Sequence, residues 1–176
     1  MVSAHPPKLI VRRIVTSPNI GDARFQNGNE LSGRFSVINS GRSKGKLTQS
    51  YSTFFITDKA LPMTPPYDTV TTFPFLNIPL DTGFSTSLCI TKGITINAEI
   101  INAMSTDSNW KLYVMGWLDY LDSMDRPVSR LYFCRVWSPS DNRFLPLDNP
   151  DYESEEGWGH LHFVSRRPLS ISFFVA

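Results

Sequence analysis

The paired histidines of "HLH", His160 and His162, are the first candidates for chemistry in this chain. On an extended segment, residues i and i+2 project from one face, so both imidazoles would be available to a metal ion, with Glu153, Glu155 or Glu156 upstream as an oxygen ligand. That set (His160, His162, Glu156) would suit a small metal-dependent or carbohydrate-active enzyme. It lacks a further histidine or cysteine at ligand spacing, and its plainer reading is a surface histidine pair on an edge strand. A cysteine nucleophile would need Cys89 or Cys134 beside one of these histidines. Cys134 falls in the apolar run "LYFC", where a thiol is inert and its pKa raised. Asp119, Asp122 and Asp125 invite a third reading, as hydrolytic or calcium-binding acids. Hydrolases place two acids across a cleft, and calcium loops use another spacing. Acids at these intervals in a turn instead bond their own backbone. The chain has no Gly-x-Ser-x-Gly elbow, phosphate-binding glycine loop or His-Glu-x-x-His segment.

Aromatic residues offer a binding surface rather than a reaction centre. Trp110, Tyr113 and Trp158 are the expected contact residues, in a platform that Trp117, Trp137 and Tyr132 would extend for a sugar or a peptide. Sandwich folds regularly bury a tryptophan between their sheets, so Trp117 is expected in the core and Trp158 outside it. The basic turn "SGRSKGK", with Arg42, Lys44 and Lys46, reads as a solvated loop.

The elements that must carry these residues are strands. Thirteen prolines and ten glycines punctuate the chain, and the apolar residues between them recur mostly at every second position. "FSTSLCI" sets Phe84, Thr86, Leu88 and Ile90 on one face, "ITINAEI" repeats the pattern, and "LSGRFSVINSG" aligns Leu31, Phe35 and Val37. Residues 8 to 16 form a first strand of poorer alternation, and residues 46 to 58 another. Five prolines in residues 60 to 83 predict an irregular crossover. "KLYVMGWLDYL" is apolar on both faces, as a central strand covered on both sides would be. Its Gly116 leaves space for a bulky neighbour such as Tyr132 or Phe133. Asp122, Ser123, Asp125 and Pro127 then turn the chain back through Val128 to Trp137, a polar acidic loop follows, and "HLHFV" forms a last short strand. The expected fold is all-β: an antiparallel, immunoglobulin-like sandwich of about seven to eight strands over residues 1–152. Residues 153–176 add the acidic loop, the short strand and an apolar tail whose "SISFFVA" alternation could extend a sheet edge.

The order "LYVMGWLDYLDSMDRPVSRLYFCRVW" resembles a pattern in uncharacterised bacterial proteins that carry an immunoglobulin-like sandwich domain. Its marks here are Gly116, Tyr120, Asp122, Phe133, Cys134 and Trp137, and the upstream "FSVINSGRSKGKL" is similar to the Asn-x-Gly turn of such domains at Asn39 and Gly41. The resemblance spans about residues 8 to 152. It implies no enzymatic activity, and such domains are often carried behind one or two membrane helices. This chain departs from the pattern in having Met124 and Asp125 where a glycine is common.

Composition narrows the function classes. The 176 residues suffice for one domain with its own core, and 41% hydrophobic against 19% charged residues is a globular balance. Seventeen Lys and Arg against sixteen Asp and Glu leave a net charge of +1, so no nucleic-acid partner is expected. Two cysteines are too few for a disulfide scaffold, and either one bridge or two buried thiols would satisfy them. No window approaches the ~18 to 20 apolar residues of a membrane span, and the N-terminus has no signal-peptide pattern, so the chain is expected to be soluble as it stands. Membrane association would come through a partner or through a segment outside this sequence. The expected function is a binding or assembly module with no cofactor, whose partner is a protein or a second copy.

Overall fold

A computed structural model describes residues 6–66 and 75–157, with the backbone alone for Glu156 and Gly157. The described residues are all-β and antiparallel, with one helical turn. A first sheet holds β1 (Leu9–Ser17), β2 (Glu30–Asn39) and β5 (Ser85–Cys89) in the order β1-β2-β5, with β6 (Ile94–Thr95) also on β2. A second holds β3 (Gly45–Thr57), β4 (Ile78–Leu80), β7 (Lys111–Asp122), β8 (Pro127–Ser138) and β10 (Glu155–Gly157) in the order β10-β8-β7-β3-β4, with β9 (Arg143–Pro146) on β8. Among the described residues no helix is long and apolar enough to cross a membrane.

Period-two patterning builds the space between the sheets. Leu9, Val11, Leu31, Phe35 and Val37 from the first sheet meet Leu47, Phe54, Val114, Leu118 and Phe133 from the second in one core. Phe35 and Phe133 join across it, with ring centroids 5.1 Å apart. The poor alternation of β1 has a local cause. Its register on β2 shifts between Arg12 and Ile14, and the extra residue returns Ile14 to the inner side.

The two flanks of the layers are joined differently. On one, Ser52 and Thr91 exchange bonds: the Ser52 amide donates to Thr91 Oγ1 (3.2 Å) and the Thr91 amide to Ser52 Oγ (3.1 Å). On the other, side chains of the second sheet cap the outer edge of β1. The Arg135 guanidinium donates to the Val11 carbonyl (3.0 Å), and the Tyr120 hydroxyl bonds to the Leu9 backbone.

Two expectations change. "ITINAEI" is not one strand: only Ile94–Thr95 pairs with β2, and α1 (Ala98–Asn102) follows. Asn97 caps that helix, its side chain accepting from the Ile100 amide (3.0 Å), while Ile96 and Ile100 still reach the core. Short apolar runs satisfy either period, and the cap decides here. Phe84 leaves the face it was expected to share with Leu88. It sits in the turn before β5 and is exposed.

Candidate functional site

The β7–β8 hairpin carries the acids with most chemical promise, and every one of them is engaged. Asp119 lies opposite Arg130 in the register and takes a two-pronged bond from it, 2.6 Å from Nε and 2.7 Å from Nη2. The same guanidinium lies 4.1 Å over the Trp117 ring. Asp122 shapes the turn: its Oδ1 accepts the amides of Met124 (2.8 Å) and Arg126 (3.0 Å), and its Oδ2 accepts Arg126 Nε (2.8 Å). Burial works against its charge, but the bonds from Arg126 and the turn backbone hold its carboxyl below the usual range. Asp125 pairs with Lys46. Each acid is occupied in holding strands or closing the turn.

β7 is buried along nearly its whole length on both faces. Its inner face belongs to the main core. Its outer face is covered by the chain after β9, which lays Tyr152 over Tyr113, Met115 and Cys134 and anchors the Tyr152 hydroxyl on the Pro62 carbonyl (2.5 Å). The same segment supplies two carboxylates to β8. Glu153 pairs with Arg135 and accepts the Cys134 amide (2.8 Å). Glu155 accepts from Tyr120 and from the Ser129 hydroxyl (2.8 Å). The described part of the stretch after residue 152 is thus built into the second sheet.

Cys89 and Cys134 are both free thiols, Cys89 exposed and Cys134 fully buried. Burial pushes the Cys134 thiol from 9.0 up to about 12, against the opposing pull of Arg135. A group that keeps its proton longer when folded stabilises the fold fully below its unfolded pKa and loses that contribution as pH rises through the folded one. The contribution is therefore intact below pH 9.0 and lost towards pH 12, on the order of 4 kcal/mol in all. Tyr113, Tyr120 and Tyr152 are raised as well, chiefly by burial, and act in the same sense above their ordinary 10.0. The urea midpoint should hold steady from neutral pH to about 9 and then fall, less steeply in Cys134→Ala over the first part of the drop. A midpoint unchanged up to pH 11, roughly two units beyond the ordinary thiol value, would contradict this.

The expected binding residues do not form one platform. Tyr113 is buried beneath Tyr152, and Trp110 is half-buried against the main core. Trp117 is buried as expected, but on the outer face of the second sheet beside Tyr51 and Arg130 rather than between the sheets. Trp137 packs in the core with Phe144. Trp158, His160, His162 and the Glu156 side chain, and with them the strand "HLHFV" and the tail, lie outside the described residues. Among the described residues no three His, Cys, Asp or Glu side chains cluster as metal ligands.

Sequence reasoning missed the outer face of the first sheet. Val15, Arg34 and Cys89 form one row across its three strands, and Arg12, Ser36 and Ser87 the next. Arg13, at the β1 bulge, stands beside them and helps line an open trough of about 660 Å³ to which no carboxylate contributes. The alternation "GRFS" does put Arg34 opposite Phe35, but only the strand pairing brings it to Arg12 and Cys89.

No protein-family model matches this chain, and no curated protein does. Among solved structures it is similar to the crystal structure of the Putative ApaA Protein from Bordetella pertussis, at 12% identity and a TM-score of 0.41, over 73% of this chain and 93% of that one. Nothing about function follows from a likeness at that level.

Proposed function

We infer that this chain is a non-catalytic binding or assembly module on an immunoglobulin-like sandwich, and that its partner is a protein or a second copy of itself. One observation carries the reading. In the hairpin, where acids, aromatics and a thiol converge, Asp119 and Asp122 are each bound by an arginine and Cys134 is sealed under Tyr152. A reaction centre leaves a carboxylate or thiol facing a space that substrate can enter. Here the two carboxylates face arginines and the thiol faces Tyr152. The resemblance to bacterial sandwich domains supports the same reading and gives it a membrane-associated context through a partner.

Native mass spectrometry of the purified full chain tests it. The expected spectrum shows the bare chain mass or whole multiples of it. A stoichiometric metal ion that survives buffer exchange and disappears in His160→Ala would overturn the reading in favour of a metal-dependent enzyme.

A further inference from the structure

The trough on the first sheet lies beside an open strand edge, and the two together select a ligand. Arg12, Arg13 and Arg34 are all exposed. None of the three forms an ion pair among the described residues. Around them stand serine and threonine hydroxyls, and no carboxylate lines the trough. The next acid along β2, Glu30, lies beyond Ser32 at the start of the strand, beside Gly93. A chain of net charge +1 has thus gathered one sign of charge on one surface.

The border of this trough is β5. Phe84 and Ile90 direct their backbone groups to β2, with the Phe84 carbonyl accepting the Asn39 amide (3.2 Å) and the Ile90 amide donating to the Gly33 carbonyl (2.8 Å). By the alternation of an antiparallel ladder, Ser85, Ser87 and Cys89 turn theirs the other way, to an edge that no described strand occupies. The side chains of these three residues are small and stand on the trough side. They leave Arg34, one strand further in, uncovered.

We propose that the β5 edge binds an extended acidic peptide, which adds as a strand and points alternate carboxylates over Ser87 and Cys89 towards Arg34, with Arg12 and Arg13 behind it. The proposal rests on the binding-module reading and gives the partner its chemistry. A strand added to β5 lies two strand spacings, about 10 Å, from β2, within the combined reach of a glutamate and an arginine. Alternate side chains of an extended peptide share one face, so a Glu-x-Glu pattern presents its charge on the trough side. A single-stranded nucleic acid would satisfy the arginines but not the backbone edge, and the trough offers no exposed aromatic ring on which bases would stack. The chain's own C-terminal run, "SRRPLSISFFVA", brings Arg166 and Arg167 and no acid, so its charge is wrong for this surface.

The test uses the full chain and a fluorescein-labelled synthetic peptide alternating Glu with Thr, with a Lys-Thr peptide and an oligothymidylate for comparison. Anisotropy should report binding of the Glu-Thr peptide alone, weakening as salt is raised. Saturating peptide should slow maleimide alkylation of the exposed Cys89, while buried Cys134 stays unlabelled and reports an intact fold. Arg34→Glu should weaken binding by roughly tenfold or more. Ser87→Pro, which removes a donor from the open edge without touching the β2 ladder, should weaken it as well. Equal binding by Arg34→Glu overturns the surface and leaves the binding-module reading standing. So does preferential binding of the oligothymidylate, or a free chain in which Cys89 is already unreactive because the edge is occupied. Cleavage of the peptide would instead sink the non-catalytic reading itself.

Discussion

Gly116→Ala should destabilise the protein by about 3 kcal/mol or more in urea unfolding, well beyond an ordinary surface glycine substitution. The residue lies mid-way along β7, opposite Ser52 on β3 and Phe133 on β8. A Cβ there would overlap the Tyr51 carbonyl oxygen and come within 2.9 Å of Ser52 Cα and 3.0 Å of Phe133 Cε1. The first two atoms are backbone of a strand held by a long ladder to β7, so it cannot retreat without breaking pairs on either side. Phe133 has little freedom either, since its ring packs on Phe35 of the other sheet. Phe133→Leu added to Gly116→Ala should therefore restore only part of the loss, because it relieves the side-chain contact and leaves the backbone one. A cost under about 1 kcal/mol for Gly116→Ala would mean that β3 and β7 lie further apart than described.

Arg135→Ala is the second large effect, with an expected cost of about 3–5 kcal/mol. Burial lowers the pKa of this arginine, so its charge persists against its surroundings, and three groups depend on it. Glu153 pairs with it, and the carbonyls of Val11 and Cys134 accept from it. Alanine would leave a partly buried carboxylate without its cation and the β1 edge without its donor. Glu153→Gln should cost less, about 1–2 kcal/mol, because the amide oxygen still accepts the Cys134 amide hydrogen. The pair Arg135→Ala with Glu153→Gln should fall short of the sum of the single losses, since neither charge then stays buried alone. Guanidinium titrations of the three variants measure this. A larger cost for Glu153→Gln than for Arg135→Ala would refute the assignment.

Much of this frame is legible in the residues. Leu31, Phe35 and Val37 alternate as an inner face and form one. The doubly apolar run around Trp117 predicts a central covered strand, and β7 lies between β3 and β8. Gly116 reads as room for Tyr132 or Phe133. Phe133 does stand opposite it, but the closer constraint is the β3 backbone, which no local pattern reveals. Asp122 reads as a turn former because its chemistry reaches only a few residues along the chain. Asp125 then takes a φ of 60°, a left-handed conformation that aspartate tolerates better than most residues. What escapes a linear reading is pairing at long separation. The acidic stretch reads as a loop, yet Glu153 and Glu155 become partners of Arg135 and Tyr120 when the chain returns to β8. The arginine trough is hidden for the same reason, since its charges come from strands separated by turns of no fixed length.

The capped edge of β1 also limits how copies of this chain can assemble through the first sheet. Its outward backbone at Leu9 and Val11 already bonds to Tyr120 and Arg135, so the first half of that border is closed to a new strand and β5 is the more open border of the sheet among the described residues. A ribbon with two free borders can recruit neighbours without end and grow into a fibre. With one border capped over its first residues, two copies meeting at β5 use each other's more open docking line, which favours a symmetric pair over continued growth.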